Sequence, residues 1–104
     1  MIRIQVTYRE GKFIALKAKG HAESAPEGKD LVCAAVSAII QGGILALSDG
    51  DEEYSLKREK GDLELKRLTD GMSEHDMTVI ETVYVQLESV ARATTGYVQL
   101  ERKQ

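Results

Sequence analysis

The run from Leu31 to Leu47, LVCAAVSAIIQGGILAL, constrains the fold more than any other stretch of the chain. Its pattern predicts a helix that is apolar or small on nearly every side, and such a helix must be covered on more than one face. A layer of strands covers one side; the other needs a second helix or another subunit. A bilayer is not the cover. Ser37, Gln41 and two glycines interrupt the run, which falls short of the ~20 apolar residues that a span requires. Asp30 stands just before it, with a carboxylate suited to accept from the exposed amides of the first turn.

The remaining segments supply the layer. Ile2, Ile4, Val6 and Tyr8 alternate with Arg3, Gln5, Thr7 and Arg9, the period of a half-buried strand. After the turn Glu10 to Lys12, Ile14, Leu16 and Ala18 alternate again, so the pair reads as a hairpin. Residues 20–29 form a loop broken by Pro26 and Gly28. Beyond the acidic turn Ser48 to Tyr54, Tyr54 and Leu56, then the turn Lys60 to Asp62, then Leu63 and Leu65 predict a second hairpin. Ser73 opens a second helix, with Asp76 three positions on as a variant of the capping box. Its apolar face is Met77, Ile80, Val83, Tyr84, Leu87, Val90 and Ala91, and Gly96 suits the position past its end. Tyr97 to Leu100 form a last short strand, followed by a charged tail expected to fray. The expectation is a single α+β domain over residues 1–104, of order ββαββαβ. It has two layers: a five-stranded mixed or antiparallel sheet with both helices on one face. The pattern leaves the order of strands within the sheet open.

Composition narrows the functional classes. Of 104 residues, 42% are hydrophobic and 30% charged, as in a soluble domain. The N-terminus MIRIQVTYRE has no basic head, apolar stretch and cleavage site, so no signal peptide is expected. A single cysteine excludes an intrachain disulfide and fits a reducing compartment, so a cytoplasmic location is expected. With a net charge of −3, no basic stripe, no Trp and one Phe, direct nucleic-acid binding is not expected. An acidic protein does suit a basic partner.

The candidate chemistry lies between Gly20 and Gly43. Cys33 falls in the first helical turn after Asp30, where unpaired amides and the helix dipole favour a thiolate and could hold an oxyanion. His21 precedes it across the loop, within reach as a proton acceptor and donor. The residues alone leave another reading open, since a lone cysteine in an apolar run is often a buried filler. Asp30 could orient His21, but its position favours capping. Ser37, one turn after Cys33, lines the site or bonds back to its own helix. His75 reads as a solvated surface residue. One Cys and two His do not make a zinc site, and no metal or cofactor is expected. Gly42 and Gly43 lie inside a helix and read as close-packing residues rather than a phosphate loop.

GHA at Gly20 to Ala22, then Gly28, Asp30 and VCAAVS at Val32 to Ser37, closely resemble the signature of the ribosomal-processing cysteine protease family, Prp. Element order, length and the long second helix extend the resemblance over nearly the whole chain. It implies a Cys33 nucleophile with His21 as its partner; Asp30, Ser37, Gly20 and Gly28 are expected to bind substrate or support the pair. It further implies a homodimer, a mobile loop over the site, and a basic substrate. That substrate is a large-subunit ribosomal protein whose short N-terminal extension is removed by cutting after aromatic residues. The family's loop often carries a Gly-Tyr pair after GHA and another aromatic before the glycine; Glu23, Ser24, Ala25, Pro26 and Glu27 stand there in this chain. Two other readings remain: a non-catalytic ribosome-associated dimer that binds a basic tail, and a redox sensor at Cys33.

Overall fold

The computed structural model describes residues 1–22, 25 and 30–104. Strands β1 (Ile2–Arg9) and β2 (Lys12–Lys19) form the first hairpin, and α1 (Leu31–Ala46) follows. A single 3-10 turn (Asp51–Glu53) leads into β3 (Tyr54–Glu59) and β4 (Asp62–Arg67), then α2 (Glu74–Ala93) and β5 (Val98–Lys103). The expected order ββαββαβ is present. The sheet is ordered β3-β4-β2-β1-β5. Every pairing is antiparallel except β1 with β5, which is parallel from Ile2↔Val98 to Thr7↔Lys103.

Alternation decides which side of each strand is dry. Ile4, Val6, Leu16, Leu65 and Val98 form one core with Val36 and Ile40 of α1 and Ile80, Val83 and Leu87 of α2. The other face of the sheet is polar and carries ion pairs such as Lys17 Nζ to Glu64 at 3.1 Å and Lys66 Nζ to Glu64 at 3.3 Å. The Lys17 hydrogen bond, followed by those of Lys66, holds the Glu64 carboxyl below its ordinary pKa despite some desolvation.

The second helix supplies only part of the cover that α1 needs. Leu31 and Leu45 remain 81% and 83% exposed, and Ala34, Ala38 and Gly42 are exposed between them on the same face. The two helices nevertheless approach closely at Gly43. A Cβ there would lie 2.3 Å from Val83 Cγ2, whereas one at Gly42 would meet nothing within 4 Å. Close packing thus explains Gly43 and not Gly42.

A buried carboxylate ties the α1–β3 connection to the start of α2. Asp76 is fully buried. Its Oδ1 accepts from Ser48 N–H at 2.8 Å and Ser48 Oγ at 3.2 Å, its Oδ2 from Asp49 N–H at 3.0 Å and Tyr54 OH at 2.7 Å. Burial alone would raise its pKa, but the Ser48 amide, the Tyr54 hydroxyl and the Asp49 amide together keep it below the usual value. Ser73 Oγ accepts from Asp76 N–H at 3.1 Å, the first half of the expected capping box. The Asp76 side chain turns away from the second half. Arg67 adds an ion pair to Asp49 at 2.8 Å and stacks 4.8 Å from the Tyr54 ring centroid.

The charged tail expected to fray continues β5 to Lys103. Ladder pairing is a backbone property and does not need apolar side chains. Arg102 also lies over the Tyr8 and Tyr84 rings, at 4.1 and 5.0 Å, and reaches Glu81 at 3.6 Å. No helix among the described residues is long and apolar enough to cross a membrane.

Candidate active site

Four pieces of chain meet at one end of the sheet: the start of β1, the end of β2, the β3–β4 turn and the first turn of α1. Gly20 leaves β2 with φ +96°, and a Cβ there would sit 2.4 Å from the Met1 carbonyl oxygen. Only glycine fits so close an approach in that conformation. Its N–H donates to the Gly61 carbonyl at 2.8 Å, fastening the end of β2 to the hairpin turn.

His21 follows. Its imidazole lies against Gly61, where a Cβ would meet Nε2 at 2.7 Å and Cε1 at 3.3 Å. Ala22 then enters the core, 4% exposed, and its N–H donates to Cys33 Sγ at 3.2 Å. The backbone on either side of His21 is therefore held, once to the hairpin and once to the thiol.

Asp30 caps α1 as its position predicts. Its Oδ1 accepts from the amides of Val32 and Cys33, both at 3.0 Å, and its carbonyl accepts from Ala34 N–H at 3.1 Å. The first-turn amides expected to face an oxyanion are thus engaged by Asp30. Cys33 is half-buried and forms no disulfide. Among the described residues its sulfur's hydrogen bond is the one from Ala22, and the imidazole rests on Gly61 instead of bonding the thiol.

Thiol and imidazole border one groove of about 480 Å³. Cys33, Val36, Ser37 and Ile40 form its α1 wall, residues 58–63 of the β3–β4 hairpin form the other, and Ile2 and Ala18 contribute apolar surface. The groove exists because the helices leave the inner face of the β3–β4 end partly open. Leu56 is accordingly 40% exposed there. Of the residues expected at the site, Gly20, His21, Cys33 and Ser37 line this groove, Asp30 supports its helix wall, and Gly28 lies outside the described residues. The loop positions Glu23, Ser24, Pro26 and Glu27 lie outside them too.

Sequence reasoning missed the hairpin side, Arg58 to Leu63, and the Ala22 amide. The motif Lys60-Gly61-Asp62 signals a turn, but nothing local says what the turn touches. His75 is largely exposed, as expected, with Nε2 at 2.8 Å from the Ala46 carbonyl at the end of α1. The described residues hold no group of three metal-ligating side chains.

A two-layer α+β protein in which a helix-start thiol and an imidazole open onto one peptide-sized groove has the parts of a cysteine hydrolase. Residues 1–99 match the family described as cysteine protease Prp, and the chain belongs to that family. The ribosomal processing cysteine protease Prp of Mycoplasma genitalium is 30% identical over 88 residues, which span 85% of this chain and 87% of the relative. The fold recurs in the Staphylococcus aureus ribosomal processing protease Prp, solved with a covalently linked product peptide. That structure has a TM-score of 0.90 at 23% identity, covering 99% of this chain and 100% of that one. A Streptococcus mutans structure, SMU.848, aligns with a TM-score of 0.77 at 22% identity, over 99% and 94% of the two chains.

Proposed function

We propose that this cysteine protease removes a short N-terminal extension from a basic large-subunit ribosomal protein, with Cys33 as nucleophile and His21 as proton carrier. The observation that carries the reading is the meeting of both side chains on one groove, with the Ala22 amide aimed at the sulfur. His21 takes the Cys33 thiol proton and becomes imidazolium as Sγ attacks the scissile carbonyl carbon, and the carbonyl π electrons move onto oxygen. As the tetrahedral species collapses, the C–N bond breaks and the imidazolium of His21 protonates the leaving amine. Water then attacks the thioester carbonyl, giving one proton to His21; the C–S bond breaks, the acid product leaves, and His21 returns that proton to the departing thiolate. Val32 and Cys33 amides are occupied by Asp30, so among the described residues the Ala22 N–H, which donates to the sulfur, is the candidate partner for the oxyanion.

The apolar surface of Ile2, Ala18, Val36 and Ile40 beside Cys33 suits an aromatic or aliphatic side chain next to the scissile bond. A second copy of the chain provides the cover that the exposed Leu31-Ala34-Ala38-Gly42-Leu45 stripe of α1 lacks, and the enzyme acts in the cytoplasm. The test is mass spectrometry of the cognate ribosomal protein, carrying its extension, after incubation with wild type, Cys33→Ser and His21→Ala. Full truncation by wild type, none by Cys33→Ser and only a slow residual rate by His21→Ala are expected. Stable binding without truncation would favour the non-catalytic ribosome-associated binder, and cleavage by Cys33→Ser would remove the thiol from the mechanism.

A further inference from the structure

We infer that Gly61, at the tip of the β3–β4 hairpin, is a positioning residue: its bare Cα is the platform that sets where the His21 imidazole can stand. The inference rests on the reading of His21 as proton carrier and extends the machinery to an element far from it in sequence.

Two observations meet at the tip, and a third fixes the far side of the histidine. Gly61 has φ +71°, and the Cβ position that any L side chain would fill lies 2.7 Å from His21 Nε2, 3.3 Å from Cε1 and 3.4 Å from Cδ2. The ring therefore rests on the glycine over several of its atoms. The carbonyl of the same residue takes the Gly20 N–H at 2.8 Å, one residue before the histidine. On the far side, the Ala22 N–H is held by Cys33 Sγ. The backbone that carries the imidazole is thus tied to both the platform and the nucleophile. A methyl group at residue 61 would drive the ring off by several tenths of an ångström, a displacement large enough to slow proton transfer about tenfold or more.

The fold supplies its own control. Gly11, in the β1–β2 turn at the opposite end of the sheet, has φ +77° and would meet nothing within 4 Å if given a Cβ. Gly11→Ala carries the same backbone strain without touching an imidazole. Gly61→Asn tolerates the left-handed backbone but still brings a Cβ, so it separates strain from contact.

The experiment measures kcat and KM on an extension peptide, with melting curves, for Gly61→Ala, Gly61→Asn, Gly11→Ala, His21→Ala and the double variant His21→Ala/Gly61→Ala. Both Gly61 variants are expected to lose kcat about tenfold or more with KM within about twofold, while Gly11→Ala stays within about twofold of wild type. In the His21→Ala background the Gly61→Ala change is expected to cost nothing further. Gly61 variants no slower than Gly11→Ala, or penalties that multiply in the double variant, would overturn the platform. Wild-type cleavage by His21→Ala would instead remove the proton-carrier reading, and the platform with it. Should Gly61→Ala melt below the assay temperature, Gly61→Asn decides.

Discussion

Gly42 and Gly43 are neighbours in α1, yet alanine acts in opposite directions at the two positions. Within one chain the new methyl at Gly42 meets open space, so in the monomer the change keeps only the helix-propensity gain of about 1 kcal/mol over glycine. For a domain of this size that raises Tm by roughly 4–8 °C. At Gly43 the same gain is set against a Cβ 2.3 Å from Val83 Cγ2, where carbon atoms prefer about 3.5–4.0 Å. Val83 is buried in α2, and a β-branched side chain in a helix has essentially one χ1 rotamer, so it cannot swing aside. The helices must separate or the core must strain, at about 1–3 kcal/mol. The net expectation is a loss of up to about 2 kcal/mol for Gly43→Ala. Urea unfolding at several protein concentrations reads both values and separates any share due to self-association. Adding Val83→Ala to Gly43→Ala should recover stability relative to the sum of the single changes, by about 1 kcal/mol or more. Shifts of the same sign at the two glycines, or strict additivity with Val83→Ala, would refute the contact argument.

Two further outcomes follow from the carboxylates. Asp76→Asn replaces an acceptor with a donor facing the Asp49 amide and Tyr54 hydroxyl, and should cost about 2–3 kcal/mol in urea unfolding. Because the folded-state pKa of Asp76 lies below its unfolded value, its contribution is full above about pH 4 and is lost as pH falls through the folded-state pKa. The stability gap between wild type and Asp76→Asn should therefore narrow on acidification; a gap that widens contradicts the assignment. Asp30→Ala should lose about 1 kcal/mol as a missing cap, whereas Asp30→Asn, still a good cap, should keep both stability and cleavage. A stable but inactive Asp30→Asn would make Asp30 a participant in the chemistry.

Much of the layout was legible because it is local. Alternation in residues 2–9 and the 3.6-residue period from Ile80 to Leu87 each state which side is dry, and Asp30 announces the start of α1. The strand order was not legible. Pairing of β2 with β4, and of β1 with β5, joins segments far apart in the chain, and their residues carry no local mark of a partner. The same limit hid half the site. His21 and Cys33 stand out as the chain's conspicuous reactive side chains, but Ala22 meets the sulfur through a backbone amide and Gly61 meets the imidazole through the space a side chain would fill. Asp76 reads as a helix-start residue, and its capture of Ser48 and Tyr54 becomes visible only when α2 docks. The tail misled for the opposite reason: Arg102 looks solvated in sequence, yet finds two aromatic faces.

The closeness of the Met1 carbonyl to Gly20 has a practical corollary for handling the enzyme. Any tag fused ahead of Met1 would emerge beside the mouth of the cleft, at an effective concentration on the order of millimolar, and would act as a tethered competitor or be trimmed off. β5 runs parallel to β1, so Lys103 finishes beside Thr7, at the other end of the molecule. A handle placed after the last strand leaves the cleft clear.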